Sequence, residues 1–141
     1  MSVGTTALTA VATGLYATLA NDHAHRALVP GGIWDHAPQD PTFPLEYLRD
    51  FEEEPEDTAG LQCRVVKGSL HIYSTYAGMT EAYAILDSAV ALLRQTAIAL
   101  VGWAHDATLY DGAVQADPEL DDANVQYQHL VARFRVFVME A

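Results

Sequence analysis

Cysteine is all but missing. Cys63 stands alone among 141 residues, so no disulfide can form within the chain and the fold must rest on its core. It lies beside Arg64 at the start of a strand-like run, with no His or Asp at the spacing of a thiol-enzyme signature, and reads as an ordinary buried or half-buried thiol. Basic residues are scarce too. Seven Lys and Arg face nineteen Asp and Glu, a net charge of −12. Such a surface cannot neutralise phosphates, which argues against DNA or RNA as a bound partner while leaving nucleic acid free to pass close by. Long apolar runs are also lacking. The first 20 residues contain five Thr, and no Lys or Arg precedes Arg26. Neither the basic start of a signal peptide nor a membrane-spanning segment is there, so the expected place is the cytosol until assembly.

Catalytic signatures are equally sparse. No phosphate-cradling glycine loop occurs, since Gly31-Gly32 leads into a strand rather than a helix. No nucleophile elbow precedes a helix. His23 and His25 are two apart, which on a helix sends them to different sides, and His36, His71, His105 and His129 fall one per element. The acidic stretch Asp117–Asp122 fails as a calcium loop, with Asp122 and Gln128 where Gly and Glu are required. No metal, no cofactor and no enzyme activity are expected.

What is present is periodicity. Leu8, Val11, Leu15 and Leu19 make one apolar stripe of a helix from about Thr5 to Ala20, with Thr5 or Thr6 as cap. Asp22 can restart a short turn through Leu28 before Pro30-Gly31-Gly32 breaks the chain. Ile33-Trp34-Asp35 reads as a short strand, and Pro38, Pro41 and Pro44 stiffen the connection that follows. Leu45–Phe51 and Arg64–Thr75 alternate as strands. The six carboxylates within Asp50–Asp57 read as a solvated, mobile hairpin tip between them. Thr80–Thr96 repeats Ala82, Leu86, Ala89 and Leu93 at helical spacing, with Thr80 as cap. Val101–Tyr110 is read as a strand and Asp111–Asn124 as turns. Val125–Glu140 alternates, Leu130, Ala132, Phe134, Val136 and Val138 against Tyr127, His129, Arg133, Arg135 and Phe137. The order predicts one α+β domain, residues 1–141, with an antiparallel sheet of four to five strands packed against two main helices.

The run Gly32-Ile33-Trp34-Asp35-His36-Ala37-Pro38-Gln39, followed by Phe43-Pro44-Leu45, resembles a signature of the tail-terminator or tail-completion proteins of long-tailed bacteriophages and gene-transfer agents. These read as a helix, a G-x-[IV]-[YW]-D-x-x-P-[QE] strand and turn, then F-P and a strand. The acidic hairpin, the strand Leu70–Ser74, the Ala/Leu/Val helix and the final strand Arg133–Val136 follow in the same order, so the resemblance runs from about Leu15 to Met139. The family departs in having an aromatic or β-branched residue more often at Leu45 and Tyr at Trp34.

The resemblance implies a structural virion protein of the tail and neck. It forms a ring, usually of six copies, at the head-proximal end of the tail, stops tube growth and meets the head–tail connector. Its partners would be further copies of itself, the major tail-tube protein and a connector or head-closure protein, with DNA passing through the ring and no membrane involved. Candidate contact residues are Phe51, Glu52, Glu53, Glu54, Glu56, Asp57 and Leu61 on the hairpin, and Val131 and Phe137 on the outer face of the last strand. Replacing Glu52, Glu53 and Glu54 by Ser should leave folding intact. Candidate lumen residues are Asp117, Glu119, Asp121 and Asp122, with the Asp50–Asp57 run as the rival, while Arg133 and Arg135 would put a basic band on their face. Two other readings are another neck component, such as a head-closure or connector-adaptor protein, and a small hydrolase or ligand-binding domain.

Overall fold

The computed structural model describes residues 5–120 and 126–141. Helix α1 (Leu8–Asn21) follows the predicted stripe, with Val11, Leu15 and Leu19 buried. Its start is not capped by Thr5 or Thr6: Ala7 is the cap residue. The Ala7 N–H instead donates to Glu53 Oε1 at 2.6 Å, a carboxylate brought from 46 residues away to a helix N-terminus, where negative charge is favoured. Asp22 does restart the chain, accepting from the His25 N–H at 2.9 Å to cap α2 (His23–Leu28). Strands β1 (Ile33–Trp34), β2 (Leu45–Pro55) and β3 (Cys63–Ser74) come next, then α3 (Thr80–Gln95), β4 (Trp103–Leu120) and β5 (Gln126–Glu140). Met79, not Thr80, occupies the cap position of α3.

The five strands form one sheet in the order β1-β2-β3-β5-β4. The sheet is mixed rather than antiparallel throughout, because β1 runs parallel to β2, Ile33 beside Glu46. The proline-stiffened connection carries the chain back before β2 begins, so both strands start from the same end. Helices α1 and α3 cover one face. Leu48, Val66, Leu70, Ile72, Leu130, Ala132, Phe134, Val136 and Val138 meet them there in the core. The predicted inward set of the last strand is therefore correct.

Two expectations about loops fail. The acidic run is not a solvated hairpin tip, since β2 continues through Glu52, Glu53 and Glu54 to Pro55, paired with β3. Residues Asp111–Leu120 are not turns but the second half of β4, an 18-residue strand with three register shifts against β5. Local charge disfavours a strand only while it is unpaired. Here Lys67 and Arg64 on β3, and Arg133 one strand further on β5, answer it.

A bulge decides which way the acidic run faces. The β2–β3 register shifts between Arg49 and Glu52, where Asp50 takes φ 59°, a left-handed conformation that Asp tolerates better than most residues. Phe51 consequently turns inward, onto Gly68. A Cβ on Gly68 would lie 2.5 Å from the Phe51 ring. Phe51 is half-buried against the core, a correction to its place among the contact candidates.

Candidate functional site

No helix among the described residues covers the opposite face of the sheet. It carries Tyr47, Arg49, Glu52 and Glu54 from β2, and Val65, Lys67, Ser69, His71 and Tyr73 from β3. From β5 come Tyr127, His129, Val131, Arg133, Arg135 and Phe137. Val131 and Phe137 lie on it as predicted, both half-buried, opposite His71 and Val65. Along its β4 edge Leu109 is 42% and Val114 68% exposed. A hollow of about 450 Å³ opens between Glu52, Glu54, Lys67, Arg133, Arg135 and Phe137.

The charges on this face are matched in pairs. Lys67 Nζ lies 3.2 Å from Glu54, Arg133 3.9 Å from Glu52, and Arg135 2.7 Å from Asp111. The basic band expected from Arg133 and Arg135 is therefore offset by carboxylates beside it. Exposed pairs of this kind contribute little to stability but set which charge pattern a partner must match.

Glu53 behaves differently from its neighbours. It points to the helix side, holding α1 through Ala7 and standing 3.8 Å from Arg64 with 13% of its side chain exposed. Arg64 also binds Asp57 Oδ1 and lies over the Trp103 ring at 5.3 Å. Glu53 thus leaves the set of contact candidates. Glu52→Ser and Glu54→Ser are expected to change stability little. Glu53→Ser should cost about 1–2 kcal/mol, because the helix start loses its acceptor and Arg64 a partner. Urea unfolding of the three single variants separates them; three equal midpoints would contradict the assignment.

Glu56, Asp57 and the 36%-exposed Leu61 sit at the β2–β3 tip, closed by a Thr58–Leu61 bridge. Asp117 and Glu119 are exposed at the far end of β4, Glu119 paired with Tyr127. Asp121 and Asp122 lie outside the described residues. The tip carboxylates Glu56 and Asp57 and the pair Asp117 and Glu119 are at opposite ends of the sheet, while Asp50 lies between them beside His71. From Arg64, beside Pro55, to Tyr73, beside His129, β3 spans nine residue steps, or about 30 Å at the rise of a strand.

Sequence reading missed two histidine constellations. His25, scattered by spacing alone, is fully buried between Ser88 Oγ, 2.8 Å from Nδ1, and Glu46, whose Oε1 contacts Nε2. The order Ser–His–Glu is that of a charge-relay triad, but His25 and Glu46 are both 0% exposed, so no substrate reaches the imidazole. The trio ties α2 to α3 and β2. Burial pushes the Glu46 carboxyl above its usual range, against the pull of His25. The second constellation is His71 with His129, from strands 58 residues apart in sequence and 2.7 Å apart in space. No local signal pairs them; only the β3–β5 register does.

The family model for tail completion protein gp17 matches residues 13–139. The chain belongs to that family. As a tail-completion protein it is a structural component of a virion tail. Its fold is similar to that of a chain from the virion of a native gene transfer agent particle. The two share a TM-score of 0.81 and 17% identity, over 94% of this chain and 97% of that one. No curated protein sequence matches it. No helix of the described residues is long and apolar enough to cross a membrane.

Proposed function

We propose that this tail-completion protein closes into a ring, of six copies, at the head-proximal end of the tail tube. There it ends tube growth and offers a surface to the head–tail connector, without catalysis and without holding DNA. The observation that carries the reading is the uncovered sheet face. A face four strands wide, with half-buried Val131 and Phe137 and exposed Leu109 and Val114, is the kind of surface that partners cover. A head-to-tail contact between such a face and a different surface of the next copy generates a ring when the rotation closes.

The charge supports a conditional assembly. Copies that each carry −12 repel at low salt, so association strengthens as ionic strength rises or when the tail tube supplies a template. The two acidic ends then take separate roles. With the strands along the ring axis, Glu56 and Asp57 stand at one mouth and Asp117 and Glu119 at the other. Repulsion of DNA by either reaches only about 8 Å at physiological salt.

Native mass spectrometry of the full chain at low and high salt tests the ring. The expected result is a monomer at low salt and a closed oligomer at high salt or with tube ends. Val131→Asp should abolish the oligomer while leaving the monomer's thermal transition in place, because Val131 is only half-buried and no helix among the described residues covers it. Isolated necks with a stoichiometry that cannot close a ring would overturn the reading. Preferential binding to portal–adaptor complexes instead of tube ends would move the protein to another position in the neck.

A further inference from the structure

Four titratable side chains from four strands make one line across the uncovered face. Asp50 Oδ2 lies 3.2 Å from His71 Nε2, His71 Nδ1 lies 2.7 Å from His129 Nε2, and His129 Nδ1 lies 3.1 Å from Glu119 Oε2. The imidazole side chains are 10% and 13% exposed. Tyr73 stacks on His129 with ring centres 4.3 Å apart. The other charged or titratable groups facing the pair are Tyr47 and Arg49 on β2 and Tyr127 and Arg133 on β5.

Hydrogens do not balance along this line when both imidazoles are neutral. Three contacts need three hydrogens; each neutral ring brings one N–H, and ionised carboxylates bring none. At Asp50 desolvation opposes the charge, but the His71 hydrogen bond and Arg49 outweigh it and hold the carboxyl below its usual range. His71 therefore donates Nε2–H to Asp50 and presents Nδ1 as an acceptor. His129 then has one hydrogen for two contacts. Spent on the shorter one, to His71, it leaves a bare Nδ1 lone pair against the Glu119 carboxylate.

We infer that His71 and His129 together form a site for one added proton, which His129 carries and which draws Glu119 onto the sheet face. A second proton has no place, because two imidazoliums would put two N–H hydrogens into one 2.7 Å contact. Burial lowers both rings, Arg49 and Arg133 add to this at His71 and the neighbouring imidazole at His129, so uptake falls on the acid side of the usual 6.5. The unfolded chain takes two protons near 6.5 while the folded chain takes one, later, so stability falls as pH drops through that window. The consequence for assembly rests on the ring reading above. On acidification the contact face gains one positive charge per copy, and Glu119 is held on it instead of being free to meet a partner.

Titration of the imidazole nitrogens by NMR, on the full chain from pH 8 to pH 5, tests the site. His71 and His129 are expected to respond together, with one proton taken up by the pair and His129 as the doubly protonated ring. Glu119→Gln should lower their shared midpoint by about 0.5–1 pH unit, since the imidazolium loses a partly exposed carboxylate, and should leave the His23 and His25 signals in place. Two protons with separate midpoints, or a midpoint indifferent to Glu119→Gln, would overturn the proposal. Sedimentation velocity at pH 5.5 and 7.5 reads assembly separately: absence of association at both pH values counts against the ring and leaves the proton site standing on the NMR result.

Discussion

His25→Ala is expected to cost the fold about 3–5 kcal/mol, the usual loss when one partner of a buried pair is removed and the other stays behind. Glu46 is fully buried, and its Oε2 has no hydrogen-bond partner among the described residues, so His25 supplies the carboxyl's side-chain contact. The imidazole also bonds Ser88, so the same substitution releases α3 from α2. Against a total stability of about 5–15 kcal/mol for a domain, this is a large share. Glu46→Gln should behave differently, keeping the shape and a hydrogen bond to Nε2 while abolishing the titration. The folded carboxyl is raised above its usual 4.5 by burial. Its contribution is therefore fully present below pH 4.5 and lost as pH rises through the folded value. The Gln variant gains on the parent as pH rises from 4.5 to the folded value, and the difference levels off beyond it. Urea unfolding of the parent, His25→Ala and Glu46→Gln across pH 4–8 reads all of this. A His25→Ala midpoint within error of the parent would remove the trio from the list of structural pins.

Gly31→Ala should be comparably severe, at or above the ~3 kcal/mol upper end of ordinary overpacking. A Cβ there would lie 1.7 Å from the Thr42 carbonyl oxygen and 2.6 Å from that of Pro44, both backbone atoms that no rotamer change can move. The peptide around Gly31 is also committed. Its N–H donates to the Pro44 carbonyl at 2.8 Å, and its carbonyl accepts from Trp34 Nε1 at 2.8 Å. These bonds clamp the Pro30-Gly31 turn and the following strand β1 to the start of β2 and so set the parallel β1–β2 pairing. Gly78→Ala is the control, with nothing within 4 Å of its added Cβ and no positive φ. Its stability should stay close to that of the parent or rise slightly. Thermal unfolding of the two variants side by side decides, and equal transitions would show that the turn opens at little cost.

Much of the fold could be read from local pattern. Helices α1 and α3 and strands β3 and β5 follow from three- and four-residue or two-residue repeats of apolar side chains, which depend only on near neighbours in the chain. The Asp22 cap and the glycine–proline turn are legible for the same reason. The candidate site was legible only in part. Val131 and Phe137 come directly from the alternation of β5, and tertiary structure leaves them on the uncovered face. Phe51 and Glu53 could not be placed, because the bulge at Asp50 is set by pairing with β3 and reverses the alternation beyond it.

Composition and periodicity by themselves determined the absence of an internal disulfide, the acidic surface, the α+β class and the inward face of the last strand, while the run Gly32–Gln39 with Phe43-Pro44-Leu45 carried the resemblance to tail-completion proteins. Tertiary structure decided the rest. Register turned a run of carboxylates into a paired strand, set Glu56 and Asp57 at the opposite end of the sheet from Asp117 and Glu119, and laid carboxylates beside Lys67, Arg133 and Arg135. It also joined His25 to Glu46 and Ser88, and His71 to His129. These outcomes depend on contacts between residues 13 to 81 positions apart in the chain. Single-residue spacing carries information about one helix face or one strand face, whereas a cross-strand partner is chosen by the packing of the whole sheet.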